Sequence, residues 1–195
     1  MARPKSFNET QVLTQMMEVF WRQGYAATFM RHLEKASGLT AGSIYHEFGS
    51  KKALFERTLS FYINTVIGWR VEKYLTEPAN PIEGIREFLV TTFKGVPQPY
   101  RQQACLLVNT AAELGQSDPD IGRIVNRGMR RIETAMAQLL AQAAEQQLIN
   151  PDLDTELAAR HISLLMPGLL IAARNQAKDS DLESVVNFHL SRMLT

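Results

Sequence analysis

The stretch LTAGSIYHEFGSKKALF, residues 39–55, gathers the side chains best suited to chemistry in this chain. Thr40, Ala41, Gly42 and Ser43 are small, so a helix that starts with them can bring its backbone close to another surface. Tyr45 and His46 carry an O–H and a ring N–H that can reach a phosphate or a base edge. Ile44 and Phe48 are four apart and fall on the opposite, anchoring face. Lys51 and Lys52 open the next helix, whose first amides and positive dipole end favour an anion. Thr28 and Arg31, at the start of the preceding short helix, are placed for a second phosphate clamp.

Catalytic chemistry is not indicated elsewhere. His32, His46, His161 and His189 form no cluster at metal-ligand spacing. No glycine-rich phosphate loop and no nucleophile elbow occurs. Asp118, Asp120, Asp152 and Asp154 fall at helix starts, where carboxylates act as caps. The expectation is a non-enzyme with no metal and no cofactor. Residues 1–52 carry seven Lys/Arg against four Asp/Glu, a net +3, and the remainder nets −2. The positive field therefore sits with the residues above, which is compatible with a nucleic-acid partner. The lone Cys105 allows no internal disulfide and fits a reducing compartment. The first ten residues show no secretory pattern. The longest uncharged apolar run, 162–173, is too short to cross a bilayer. A cytoplasmic protein with no membrane partner is expected.

The elements that must position these residues all read as helices. Val12, Met16 and Phe20, with Leu13, Met17 and Trp21, mark an amphipathic first helix ended by Gly24. Thr28 has N-cap chemistry for a short helix to Ala36, and Thr40 for a second ending near Glu47. Ser50 caps a long helix to about Leu75. Prolines at 78, 81, 97, 99, 119 and 151 punctuate the rest into helices near 81–95, 98–115, 119–147, 153–177 and 181–194. No segment alternates as a strand does. The fold class is all-α: a three-helix domain over 1–50, then a helical bundle over 51–195 whose first helix, 51–75, is the connector.

Two short helices joined by Ala36-Ser37-Gly38-Leu39 have helix-turn-helix form: a small residue at the crossing, a glycine turn and an apolar plug. The second helix of such a unit lies in the major groove. An adaptor that binds protein through the same face is the rival reading, and salt-dependent DNA binding separates the two.

Residues 20–55 resemble the DNA-binding domain of the tetracycline-repressor (TetR/AcrR) family of bacterial regulators. The match rests on Phe20, Gly24-Tyr25, Thr28, Leu33, Ala36, Gly38, Ser43-Ile44-Tyr45, Phe48, Lys51 and Ala53-Leu54-Phe55. The resemblance implies a homodimer that binds double-stranded operator DNA through Thr28, Arg31, Thr40, Ala41, Gly42, Ser43, Tyr45, His46 and Lys51. It also implies a C-terminal ligand-binding and dimerisation domain. Two positions depart from the family pattern: Ala41, where a longer polar side chain is common, and Glu47. Glu47 must point away, pair with Lys51 at i+4 or accept from a cytosine amine; the pair is favoured.

The resemblance implies a four-helix dimer interface built from the last two helices. On them Ile162, Leu165, Leu169, Ile171, Leu182, Val186 and Leu190 are the expected contacts. Pro167-Gly168 should bend the first, either as a packing adjustment or to open a cavity. From the apolar faces, Phe61, Ile67, Trp69, Phe93, Leu106, Asn109, Met129, Ile132 and Met136 are the candidates to line a pocket for an apolar or aromatic effector of unknown identity. Cys105 joins them, in ACLLVNTAAELG, a string that resembles one branch of the family. Arg101 at i−4 could activate its thiol as an electrophile or redox sensor, or the thiol is an inert core group.

Overall fold

The computed structural model describes residues 7–76 and 78–193. Every regular element among them is helical, with no strand. Helix α1 (Glu9–Gln23) starts at Asn8, whose side chain accepts from the Gln11 amide, and buries Val12, Leu13, Met16, Met17, Val19 and Phe20. Helix α2 (Met30–Ser37) ends at Gly38 in the left-handed conformation, φ 71°, ψ 2°. Helix α3 (Ala41–Phe48) is capped by Thr40, whose hydroxyl accepts from the Ser43 amide. The three pack as an orthogonal unit against the start of α4 (Lys51–Tyr62), capped by Ser50 as its chemistry suggests. The cap of α2 differs from expectation. Phe29, not Thr28, is the capping residue, and the His32 Nδ1 accepts the Phe29 amide at 3.2 Å.

The connector is one helical rod over 51–76, but not a plain α-helix. A π-helical turn (Ile63–Ile67) separates α4 from α5 (Gly68–Val71), and a second (Glu72–Thr76) follows. Side-chain periodicity gives no warning of such turns, which add a residue without changing direction. The Arg131 guanidinium lies across Gly68, where a Cβ would come within 2.9 Å of it, and Nη1 reaches the Ile63 carbonyl at 3.5 Å.

The body follows the proline punctuation. Helices α6 (Pro81–Val90) and α9 (Pro119–Glu145) begin at Pro in the first turn, capped by the side chains of Asn80 and Asp118. The expected helix 98–115 is broken into α7 (Gln98–Gln103) and α8 (Leu106–Leu114) by Ala104, a non-glycine residue at φ 54°. Helices α10 (Thr155–Arg174) and α11 (Asp179–Ser191) close the bundle. Pro167 lies inside α10 without ending it. By length and mean hydropathy, 1.3, α10 could cross a bilayer. Its inner face is packed on α9 instead, and Ala159, Ile162, Met166, Leu169 and Ala173 are buried there.

Head and body meet around Phe55. Its ring centroid lies 4.8 Å from Phe20 and 5.0 Å from Tyr25. Polar ties surround these rings. Lys52 Nζ reaches Asp118 at 2.8 Å and Asp120 at 2.9 Å at the start of α9. The Glu113 carboxylate of α8 accepts from the Tyr25 and Ala26 amides at 3.0 and 2.7 Å. Trp21 Nε1 donates to the Ala104 carbonyl at 3.0 Å.

Gly24 stands at the centre of one tie. Its φ of 77° and ψ of 176° lie in a region open essentially to glycine alone, and a Cβ would meet Glu113 Oε2 at 2.8 Å. Gly24→Ala is expected to destabilise the fold by about 1–3 kcal/mol in a denaturant titration. Gly38→Ala, with open space around the Cβ, should cost only the left-handed penalty of about 1–2 kcal/mol.

Candidate functional site

Helix α3 presents one face outward. Ile44 and Phe48 are buried in the head, as their spacing indicates, while Tyr45 (49 % exposed), His46, Gly42 and Ser43 face solvent. Thr40 is exposed at its start, with its hydroxyl 3.0 Å from Ser43 Oγ. Ala41 is half-buried. Its amide donates to Glu34 Oε1 at 2.7 Å, so a carboxylate on α2 fixes the first turn of α3. Sequence reasoning missed Glu34, because a contact seven residues away across a turn leaves no periodic trace.

The flanking groups divide. Arg31 is exposed, with its guanidinium 4.9 Å over the Phe29 ring. Lys51 is half-buried over the Tyr25 ring at 4.3 Å, and burial pulls its pKa below the ordinary lysine value while Glu113 opposes the shift. Lys52 is committed to Asp118 and Asp120, whose hydrogen bonds raise its pKa; it braces the joint rather than meeting a ligand. Thr28 must be corrected. Its side chain is 0 % exposed and its hydroxyl donates to the Gly24 carbonyl at 2.6 Å, so it shapes the turn before α2 and presents no group to a phosphate. Arg31, Thr40, Ala41, Gly42, Ser43, Tyr45, His46 and Lys51 remain together along α3 and the starts of α2 and α4.

The body contains a cavity of about 140 Å³, bounded by the connector, α6, the α7–α8 break and α10, with Trp21 of α1 as one wall. Of the expected lining, Ile67 and Cys105 are there. Phe93, Leu106, Ile132 and Met136 are buried in the core, Trp69 is 56 % exposed on the outside, and Phe61 and Met129 pack against the core without lining this cavity. Asn109 borders a separate, open polar groove, and its amide donates to the Gln103 carbonyl at 2.7 Å. Aromatic and methionine side chains at helical spacing were core here, the commoner outcome. Residues that sequence reasoning passed over, Tyr62, Arg70, Phe88 and Tyr100 among them, complete the walls.

Cys105 is buried, with Sγ 3.3 Å from the Tyr62 hydroxyl. Burial, and then Cys105 beside it, push the Tyr62 pKa well up. The Arg101 guanidinium is turned to other partners. The break at Ala104 separates α7 from α8, and the guanidinium is spent on Asp179 at 2.6 Å and on the carbonyls of Phe93, Ala173 and Ala177.

The expected interface row on α10 and α11 is also corrected. Ile162, Leu169, Leu182, Val186 and Leu190 are buried within the chain and Leu165 is partly buried. The outward row is Leu157, Leu164 (72 % exposed) and Ile171 at seven-residue steps, with Val185 and Phe188 (56 % exposed) beside it. Of the expected set only Ile171 faces out. A helix apolar all round does not reveal which side faces its own core.

The architecture and the sequence agree with known proteins. Residues 12–58 match the model for bacterial regulatory proteins of the tetR family, and residues 81–188 the model for the tetracyclin repressor-like C-terminal domain. An uncharacterized HTH-type transcriptional regulator, YezE, of Bacillus subtilis is 29 % identical over 98 % of both chains. The HTH-type transcriptional repressor ComR of Escherichia coli is 25 % identical over 90 % of this chain and 83 % of its own. A structure of the TetR family regulator CifR, complexed with double-strand operator DNA, shares the fold at a TM-score of 0.82 and 22 % identity, covering 98 % of this chain and 100 % of that one. With the C-terminal model alone spanning more than half of the chain, the protein belongs to the tetR family of bacterial regulatory proteins: a DNA-binding transcriptional regulator and not an enzyme.

Proposed function

We propose that this regulator is a homodimeric, cytoplasmic repressor that leaves its operator when a small molecule fills the body cavity. The observation that carries this reading is the shared wall: Trp21 belongs to the DNA-reading head, lines the cavity, and holds the α7–α8 break through Ala104. A ligand that displaces the indole or the Ala104 peptide acts on the head directly. The ligand must bind the released arrangement more tightly than the DNA-bound one, because only differential affinity shifts the population.

Operator contact is assigned to the outward face of α3 with Arg31 and Lys51. Helix α3 lies in the major groove and the two cations meet phosphates on either side of it. The name of ComR and the operator complex of CifR support this assignment. The second copy packs on the exposed row Leu157, Leu164, Ile171, Val185 and Phe188. Its seven-residue spacing suits a helix seam, and Gly168, exposed beside it, leaves room for close approach.

Four outcomes are expected. Tyr45→Ala leaves the melting temperature unchanged and weakens operator binding about tenfold or more in a gel-shift titration. Lys51→Ala lowers the log–log salt slope of binding by about one. Unchanged affinity in Tyr45→Ala would count against α3 as the reader. In sedimentation, Phe188→Glu shifts the protein from dimer to monomer, and a persistent dimer would place the interface elsewhere. Trp21→Phe, which keeps a ring but not the N–H, retains operator binding and blunts ligand-induced release; full release in that variant would break the proposed route.

A further inference from the structure

The cavity holds one formal charge, and that charge is positive. Among the fourteen described residues that line it, Arg70 is the one Arg, Lys, Asp or Glu. The guanidinium is largely buried, and the partners it has among the described residues are neutral. Its hydrogen bonds go to neutral acceptors at the end of α6: Nη2 donates to the Phe88 carbonyl at 2.5 Å and the Thr91 hydroxyl at 3.1 Å, and Nη1 to the Thr91 carbonyl at 3.4 Å. No described residue accepts from Nε. The negative end of the α6 dipole and the Phe88 ring, 5.0 Å away, give only partial compensation. A buried guanidinium does not shed its proton, and none of the described residues supplies a full counter-charge, so a ligand that carries one is favoured there. Burial pulls the Arg70 pKa down from its ordinary value, while Tyr74, Tyr62 and Cys105 oppose the shift.

The remaining walls describe the rest of the ligand. Trp21, Phe88 and Tyr100 are aromatic, and Met166 and Leu170 are aliphatic. At about 140 Å³ the space is close to the volume at which an apolar cavity takes up benzene. We infer that the effector is a small monocarboxylate with a compact aromatic or aliphatic body, its carboxylate received by Arg70 and its body seated on Trp21. This inference rests on the ligand-responsive reading above and adds to it the charge and size of the ligand. A carboxylate suits the guanidinium fork better than a neutral polar group does, because the bond is charge-assisted and bidentate.

The test uses the full chain in a Trp69→Phe background, so that emission reports Trp21 alone of the two tryptophans. Benzoate, phenylacetate and hexanoate are titrated at neutral pH beside benzamide, phenylacetamide and hexanamide. At least one acid is expected to change the Trp21 emission saturably and to bind about tenfold more tightly than its own amide. Arg70→Met should erase that preference while Arg70→Lys keeps part of it, with thermal melts confirming that both fold. The wild-type comparison of acid with amide decides the matter even if Arg70→Met fails to fold. Equal binding of acid and amide, or an acid preference that survives in Arg70→Met, overturns the inference. Binding by amides alone also overturns it, and leaves ligand-responsive regulation standing. No binding by any of the six counts against both the charge assignment and the cavity as an effector site, while operator binding, measured separately, is untouched.

Discussion

The grip of Phe20 and Tyr25 on the Phe55 ring makes one body of two domains. Phe55 belongs to the connector, so the reading head has no flexible tether; it is packed onto the first turns of a rod whose other end runs through the body. Close-packed rings do not deform smoothly, and they transmit displacement. The angle between head and body is therefore set by where the rod lies. In a dimer, that angle fixes the spacing of the two reading helices.

The polar ties around these rings are of a different kind. Lys52 with Asp118 and Asp120, and Glu113 with two amides, lie at or near the surface, while Trp21 with Ala104 is partly buried. Exposed ion pairs contribute little individually. Such a joint holds a preferred angle without making the alternative prohibitive.

Much of this was legible in the sequence, where local chemistry decides. Thr40, Ser50, Asn80 with Pro81, and Asp118 with Pro119 announce helix starts through side chains that cap their own neighbours. The reading face followed from Ile44 and Phe48, because a short amphipathic helix has a single inside. The failures share a cause. Thr28 looked like a cap, and it is one residue too early and wholly buried. Ala104 breaks a helix with neither glycine nor proline to mark it. On α10 the apolar residues run all round, so the sequence could not distinguish the row facing α9 from the row facing out. In each case tertiary packing chose between local options of similar cost.

The wide turn at Ile63–Ile67 bears on how the cavity acquired its charge. In an unbroken α-helix Tyr62 and Arg70 would point about 80° apart, since each residue turns the chain by about 100°. One extra residue in the turn brings them to within about 20°, so both reach the same space. Loss of a single residue there would swing the guanidinium out of the chamber by the same rotation. The set of side chains that reaches this chamber thus depends partly on rotational phase, and a one-residue insertion or deletion would change it as surely as a point substitution in its walls.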